Sequence, residues 1–202
     1  TTTANITPKA LTVSGITASN RTYDGSTNVT LTGTAVYSGL VDGDTFNGTY
    51  TGAFSDKNVG TGKTVNITSS YSGADVNNYS VTDQTSTTAN ITAKSLTVSG
   101  ITASDKTYDG STSATLTGTA VYSGLVSGDI FTGSYTGAFS NKNVGTGKTV
   151  NITPSYSGAD VNNYSVTDQS STTADISAKA LTATASASNK TYDGGTTAST
   201  TL

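Results

Sequence analysis

Leu11-Thr12-Val13-Ser14-Gly15-Ile16-Thr17-Ala18-Ser19-Asn20-Arg21-Thr22-Tyr23-Asp24-Gly25 returns as Leu96 to Gly110 with two exchanges, Asn20 to Asp105 and Arg21 to Lys106. The match extends outward in both directions. Residues 5–89 align with 90–174 without a gap, a period of 85, and only thirteen positions differ. Among these are Pro8/Ala93, Asp42/Ser127, Thr45/Ile130 and Asp56/Asn141. A partial third copy occupies 175–202 and has lost one residue before its Tyr-Asp-Gly, so Tyr23, Tyr108 and Tyr192 lie 85 and then 84 residues apart. Repeats of this kind decide the architecture before any local reading does. The expected domains are 5–89, 90–174 and a partial 175–202; a shifted phase, 27–110 and 111–194, stays open.

Within a copy the apolar period is two. Leu11 and Val13 alternate with Thr12 and Ser14, and Val65 and Ile67 with Thr64, Asn66 and Thr68. Val29, Leu31, Gly33 and Ala35 alternate with Thr30, Thr32 and Thr34. These runs predict half-buried antiparallel strands with a Thr-rich outer face. Asp24-Gly25, Asp42-Gly43-Asp44, Gly60-Thr61-Gly62, Ser72-Gly73 and Asn77-Asn78 supply turns between them. About six or seven short strands per copy are expected. The fold class is therefore all-β: small antiparallel sandwich or β-grasp-like domains set end to end. From Tyr79 to Val98 the chain contains neither Gly nor Pro, so one copy's last strand is expected to run nearly straight into the next copy's first, favouring a stiff rod.

Composition narrows the function. Cys, His, Met, Trp and Glu are absent, and all thirteen acidic residues are Asp. Apolar residues make up 33% and charged residues 11%, which suits several thin cores better than one large core. A net charge of −3 leaves no basic footprint for nucleic acid. No apolar run reaches membrane-spanning length. Thr1 is not a natural start, which predicts a piece of something longer. Near-identical tandem copies favour reach or valency over a single active site. Without His, Cys or Glu, and with no Ser beside a base, an enzyme is the least expected reading.

Each copy carries Lys/Arg-Thr-Tyr-Asp-Gly, at Arg21–Gly25, Lys106–Gly110 and Lys190–Gly194. Tyr can anchor in the core with its hydroxyl at the rim, Asp can bond the backbone two residues on, and Gly supplies positive φ. Tyr23, Asp24, Gly25, Tyr108, Asp109, Gly110, Tyr192, Asp193 and Gly194 are thus expected to be structural. Lys57 to Val65, Ser72-Gly73-Ala74-Asp75 with Asn78-Tyr79, and Ala89 to Thr92 recur with them. With these motifs the chain resembles the YDG-type repeats of large bacterial surface proteins, related to MBG domains and to adhesins of the filamentous-haemagglutinin type. The resemblance covers nearly the whole chain. It implies export and an extracellular, cell-surface location, and it supplies no catalytic residues.

Other motifs weaken on inspection. Gly62-Lys63-Thr64 lacks the earlier Gly of a phosphate loop, because Lys57 stands in its place. Asp42-Gly43-Asp44 could offer calcium two carboxylates, but the second copy has Ser127-Gly128-Asp129, so a plain turn is preferred. Lys9 and Lys94 share a face with Leu11/Val13 and Leu96/Val98, which would suit an internal Lys–Asn amide if an Asp were buried nearby. Ten glycosylation-type sequons, including Asn28, Asn47, Asn66 and Asn78, follow from the abundance of Asn and Thr.

The expected function is a stalk or filament module of a secreted bacterial adhesin, with no cofactor, no metal and no catalytic residue. Self-association into a filament is the expected partnership. The alternative is a carbohydrate- or matrix-binding module using exposed Tyr37, Tyr50 and Tyr71; an ice-binding array of Thr30, Thr32 and Thr34 would need a finer period. Residues 175–202 alone cannot bury Leu181 or Tyr192, so something outside the two full copies is expected to hold them.

Overall fold

Lys9-Ala10-Leu11-Thr12-Val13-Ser14 forms a strand with Leu11 and Val13 buried and the other four side chains exposed, the period-two pattern of a half-buried surface. In the computed structural model, which describes residues 1–201, the first copy contributes nine strands. They are β1 (Lys9–Ser14), β2 (Thr17–Ala18), β3 (Arg21–Thr22), β4 (Leu31–Thr32), β5 (Val36–Ser38), β6 (Asn47–Phe54), β7 (Gly60–Ser72), β8 (Tyr79–Thr82) and β9 (Ser86–Thr92). The second copy repeats them with one addition, β13, as β10 (Lys94–Ser99), β11 (Thr102–Ala103), β12 (Lys106–Thr107), β13 (Ser113–Ala114), β14 (Leu116–Thr117), β15 (Val121–Ser123), β16 (Thr132–Phe139), β17 (Gly145–Ser157), β18 (Tyr164–Thr167) and β19 (Ser171–Ser177). Beyond it lie β20 (Ser186–Ala187) and β21 (Thr200–Thr201), which pair with each other. Single 3-10 turns at Val76–Asn78 and Val161–Asn163 precede β8 and β18. The fold is all-β.

Each copy has two parts. One is a three-stranded sheet, β5-β1-β8 in the first copy and β15-β10-β18 in the second. The other is built on a long antiparallel hairpin, giving β3-β9-β7-β6 in the first copy and β12-β19-β17-β16-β13 in the second. Two expectations need correction. The strand proposed across Val29–Ala35 is cut to two residues: β4 holds only Leu31–Thr32, and Gly33 turns the chain at φ +80°. A side chain there would sit 2.3 Å from the Gly15 carbonyl oxygen, so the alternation reflects a tight turn rather than a ladder. Nor is pairing purely antiparallel, since β1 runs parallel to β8 and β3 parallel to β9, with Arg21 opposite Ile91. The strand count exceeds the expected number because several elements are only two residues long.

The chain divides into two compact units. The first comprises 1–100, 119–134 and 154–169, that is, the whole of copy one together with the three-stranded sheet of copy two. Strands β9 and β10 are separated there by Ala93 alone. The second unit comprises 101–118, 135–153 and 170–202, and its core holds Phe139, Val150, Ala174 and Ile176. In the first unit one cluster, Leu11, Phe46 and Tyr79, fills the three-stranded sheet of copy one. A larger cluster joins Tyr23, Phe54, Val65, Ala89 and Ile91 of copy one to Leu96, Phe131 and Tyr164 of copy two. Fully burying side chains of this size contributes about 1.5–3 kcal/mol each, and in the second cluster that burial is shared by residues of both copies.

Candidate inter-repeat docking site

The Tyr-Asp-Gly turn follows β3. Tyr23 N–H donates to the Thr92 carbonyl at 2.8 Å, which extends the parallel pairing with β9 by one residue. Asp24 Oδ1 accepts from Ser26 N–H at 2.8 Å, an Asx turn, and its carboxylate meets the Arg21 guanidinium at 2.9 Å. Burial opposes ionisation of Asp24, but the Ser26 hydrogen bonds and Arg21 outweigh it and hold the carboxyl below its usual range. Arg21 also donates to the Asn28 carbonyl and stacks 5.3 Å from the Phe54 ring centre. Lys106 takes the same place in copy two, 2.9 Å from Asp109, whose carboxyl it lowers to about 2. Lys190 and Asp193 pair at 2.7 Å. The basic residue and the Asp therefore close one local loop in all three copies.

The tyrosine's surroundings differ. Tyr23 is 1% exposed. Its hydroxyl donates to Asp129 at 2.8 Å (Oδ2), and the Tyr164 hydroxyl donates to the same oxygen at 2.6 Å. Lys57 Nζ lies 2.9 Å from Asp129 Oδ1 and 2.7 Å from Asp160 Oδ1, and 5.9 Å from the Tyr23 ring centre. Around this centre Val59 N–H donates to Asn163 Oδ1 at 3.0 Å, and Asn163 Nδ2 donates to Asn58 Oδ1 at 3.2 Å. Ile130 N–H donates to Asp160 Oδ2 at 2.9 Å. Tyr23, Lys57, Asn58 and Val59 come from copy one; Asp129, Asp160, Asn163 and Tyr164 come from copy two.

The charges are held in a consistent state. Burial pushes Asp129 up, but donors from Tyr164, Lys57 and Tyr23 prevail and lower it. The Lys57 hydrogen bond, helped by the Ile130 amide, lowers Asp160. Lys57 is raised by Asp160 and Asp129. Burial, then the hydrogen bond to Asp129, pushes Tyr164 up to about 12. An ammonium thus faces two carboxylates whose side chains are 3% and 9% exposed. Loss of the Lys57 ammonium would leave two buried carboxylates without their counter-charge, which is destabilising. Gly25 completes the fit: with φ at +81°, the position of its missing Cβ lies 2.8 Å from Val126 Cγ1.

The structure thus brings Tyr23 and Gly25 into this junction and leaves Asp24 on its local turn. Tyr108 is half-buried and Tyr192 is 93% exposed. Lys57, Asp129, Asp160 and Asn163 were not singled out as a site from the sequence, although Lys57-Asn58 and the Asp75/Asn78-Tyr79 counterparts of Asp160, Asn163 and Tyr164 stood among the recurring motifs.

Other candidates resolve differently. Tyr37, Tyr50 and Tyr71 are not exposed; Tyr37 and Tyr71 are half-buried against Phe46, and Tyr50 is half-buried against Tyr71 and donates to Tyr37 at 3.1 Å. Gly60 to Lys63 is a β-bulge, in which Gly62 N–H donates to Asn90 Oδ1 at 2.7 Å, and no helix follows. Asp44 receives the Tyr79 hydroxyl, and its N–H closes a turn onto Val41. Lys9 is exposed, which removes the burial that an internal amide would need, and Asn28, Asn47, Asn66 and Asn78 are exposed. Among the described residues no group of three or more Asp side chains could hold a metal ion, and no helix is long and apolar enough to cross a membrane.

No curated protein and no solved structure matches the chain. The family model described as the YDG domain matches twice, over residues 7–88 and 92–174, which is most of the sequence. The chain belongs to the YDG domain family, carrying two tandem copies.

Proposed function

We propose that the protein is a structural repeat module of a secreted bacterial surface adhesin or extracellular fibre, in which successive copies lock at a fixed junction to provide length and stiffness. The observation that carries this reading is the network that half-buried Lys57 makes with the buried side chains of Asp129 and Asp160 and that Tyr23 joins through Asp129, made from residues of two copies and identical in type in each. A flexible string of beads would leave these groups solvated; a rigid spacer needs them joined. Export to the cell surface rests on the family resemblance and on a chain free of Cys.

The reading is tested by small-angle scattering on chains of one, two and four copies. The longest dimension should grow linearly with copy number. Growth as the square root of copy number, the signature of freely jointed beads, would refute it.

A further inference from the structure

Tension along a tandem chain passes from copy to copy through the link Thr92-Ala93-Lys94, which joins β9 directly to β10. Ala93 alone separates the two strands, so a pull is handed from strand end to strand end without slack. Each copy is thus entered at its first strand, β1 or β10, and left at β9 or its counterpart β19. What resists the pull depends on which strands hold these two.

Both have parallel partners. Strand β1 lies between β5 and β8, and its residues 9–12 pair in parallel with β8. Strand β8 then runs through Asp83, Gln84 and Thr85 into β9. A pull therefore draws β1 towards its N-terminal end and β8 towards its C-terminal end, and parallel strands drawn that way must slide past each other. Ladder hydrogen bonds run across the strands, so sliding loads them together, whereas prising the strands apart from one end breaks them in turn. The exit is built the same way. Arg21 and Thr22 of β3 pair in parallel with Ile91 and Thr92, and Tyr23 N–H donates to the Thr92 carbonyl at 2.8 Å. Gln84 adds a side-chain clasp: its Oε1 accepts from Ile16 N–H at 3.0 Å, and its Nε2 donates to the Ile16 carbonyl at 2.6 Å. Ile16 follows β1 and Gln84 follows β8, so tension draws this pair in opposite directions too. Leu11, Val13, Ile16 and Ile91 are at most 4% exposed, which shields these ladders from water. The second copy repeats both ladders, pairing residues 94–97 with β18 and β12 with β19 in parallel.

We propose that each copy is a tension-bearing element, in which the parallel ladders of β1 with β8 and of β3 with β9 hold the chain in shear against a pull along it. The strands that meet the load first are bonded to those that meet it last, so a copy lengthens only when a ladder breaks as a whole. This inference rests on the spacer reading and adds that the spacer carries force.

Single-molecule pulling of the 202-residue protein tests it. The chain has no Cys, so two introduced thiols define where force is applied. Lys9→Cys with Thr92→Cys, both at exposed positions, loads the ladders in shear. Lys9→Cys with Asn78→Cys, also exposed, draws β1 and β8 apart from their adjoining starts and peels them. At one loading rate the first pair should unfold at a force at least about twofold higher than the second, since forced unfolding is governed by the unfolding barrier. Gln84→Met, which removes the clasp beyond the far end of β1, should lower the shear force and leave the peeling force unchanged. The comparison of the two pairs holds whether or not that variant folds. Equal forces for the two pairs, or a lower force in shear, overturn the proposal. Equal forces with linear growth of length in the scattering series reject this inference alone and leave the spacer reading standing, whereas square-root growth rejects the spacer reading whatever the forces.

Discussion

At Gly25 the missing side chain serves two purposes, and Gly110 allows them to be separated. Both residues have positive φ, +81° and +82°, so alanine at either position meets the same backbone strain, about 1–2 kcal/mol. Only at Gly25 does the new methyl also strike Val126, at 2.8 Å. Gly25→Ala should therefore destabilise by about 1–3 kcal/mol more than Gly110→Ala. Urea denaturation of the two variants checks this, and equal losses would mean that Val126 yields without cost. The charges in the junction set a pH window. Asp129 and Asp160 are lowered from 3.8, so their contribution is present above that value and is lost as pH falls through their folded values. Tyr164 rises from its usual value to about 12, and Lys57 is raised from 10.5. These contributions are full below about pH 10 and disappear as pH climbs through the folded values. Melting temperature against pH should be flat between these limbs, and Lys57→Met should shrink both. Unchanged limbs in that variant would remove the network as their cause.

At the scale of strands, Gly52 in β6 lies beneath Leu31, whose Cδ2 is 2.7 Å from where a Cβ would be; Gly137 stands the same way under Leu116 at 2.6 Å. Gly52→Val should overpack this contact and destabilise the first unit by about 1–3 kcal/mol. Thermal unfolding checks it, and a neutral result would show that Leu31 has room to swing out. The residues here also show what was legible beforehand. The all-β class and strands β1 and β7 could be read from alternation, because Leu11, Val13, Val65 and Ile67 face a core and their neighbours face water. The break at Gly33 could not, because it depends on the Gly15 carbonyl lying against it rather than on the local pattern. Parallel pairing of β1 with β8 joins Lys9 to Tyr79, a contact that no local period encodes. The site divides in the same way. Tyr23 and Gly25 are conspicuous because the motif recurs, whereas Lys57 finds Asp129 and Asp160 only once two copies have folded together. Their recurrence marked them as structural, but their pairing required three dimensions.

Across the whole molecule the repeat provides its own control. In a chain whose copies stabilise their neighbours, each copy's stability includes an interface term that depends on what covers it. Tyr23 N–H donates to the Thr92 carbonyl and Tyr108 N–H to the Ser177 carbonyl, both at 2.8 Å, and Thr22-Tyr23-Asp24 is identical to Thr107-Tyr108-Asp109. Intrinsic exchange rates at the two tyrosine amides therefore match, and a difference in protection reports the cover alone. Tyr23 lies beneath Tyr164, with ring centres 5.6 Å apart, and beneath Asp129, whereas Tyr108 lines an open hollow with Asn143 and Val144. The Tyr23 amide should exchange at least about tenfold more slowly than that of Tyr108, equivalent to about 1.4 kcal/mol of extra stability. Lys57→Met should bring the Tyr23 rate towards that of Tyr108 and leave Tyr108 unchanged, because Lys57 serves only the covered junction. Equal rates in the unaltered protein would mean that copies share a chain without sharing stability, and the case for a locked spacer would fail at its energetic root.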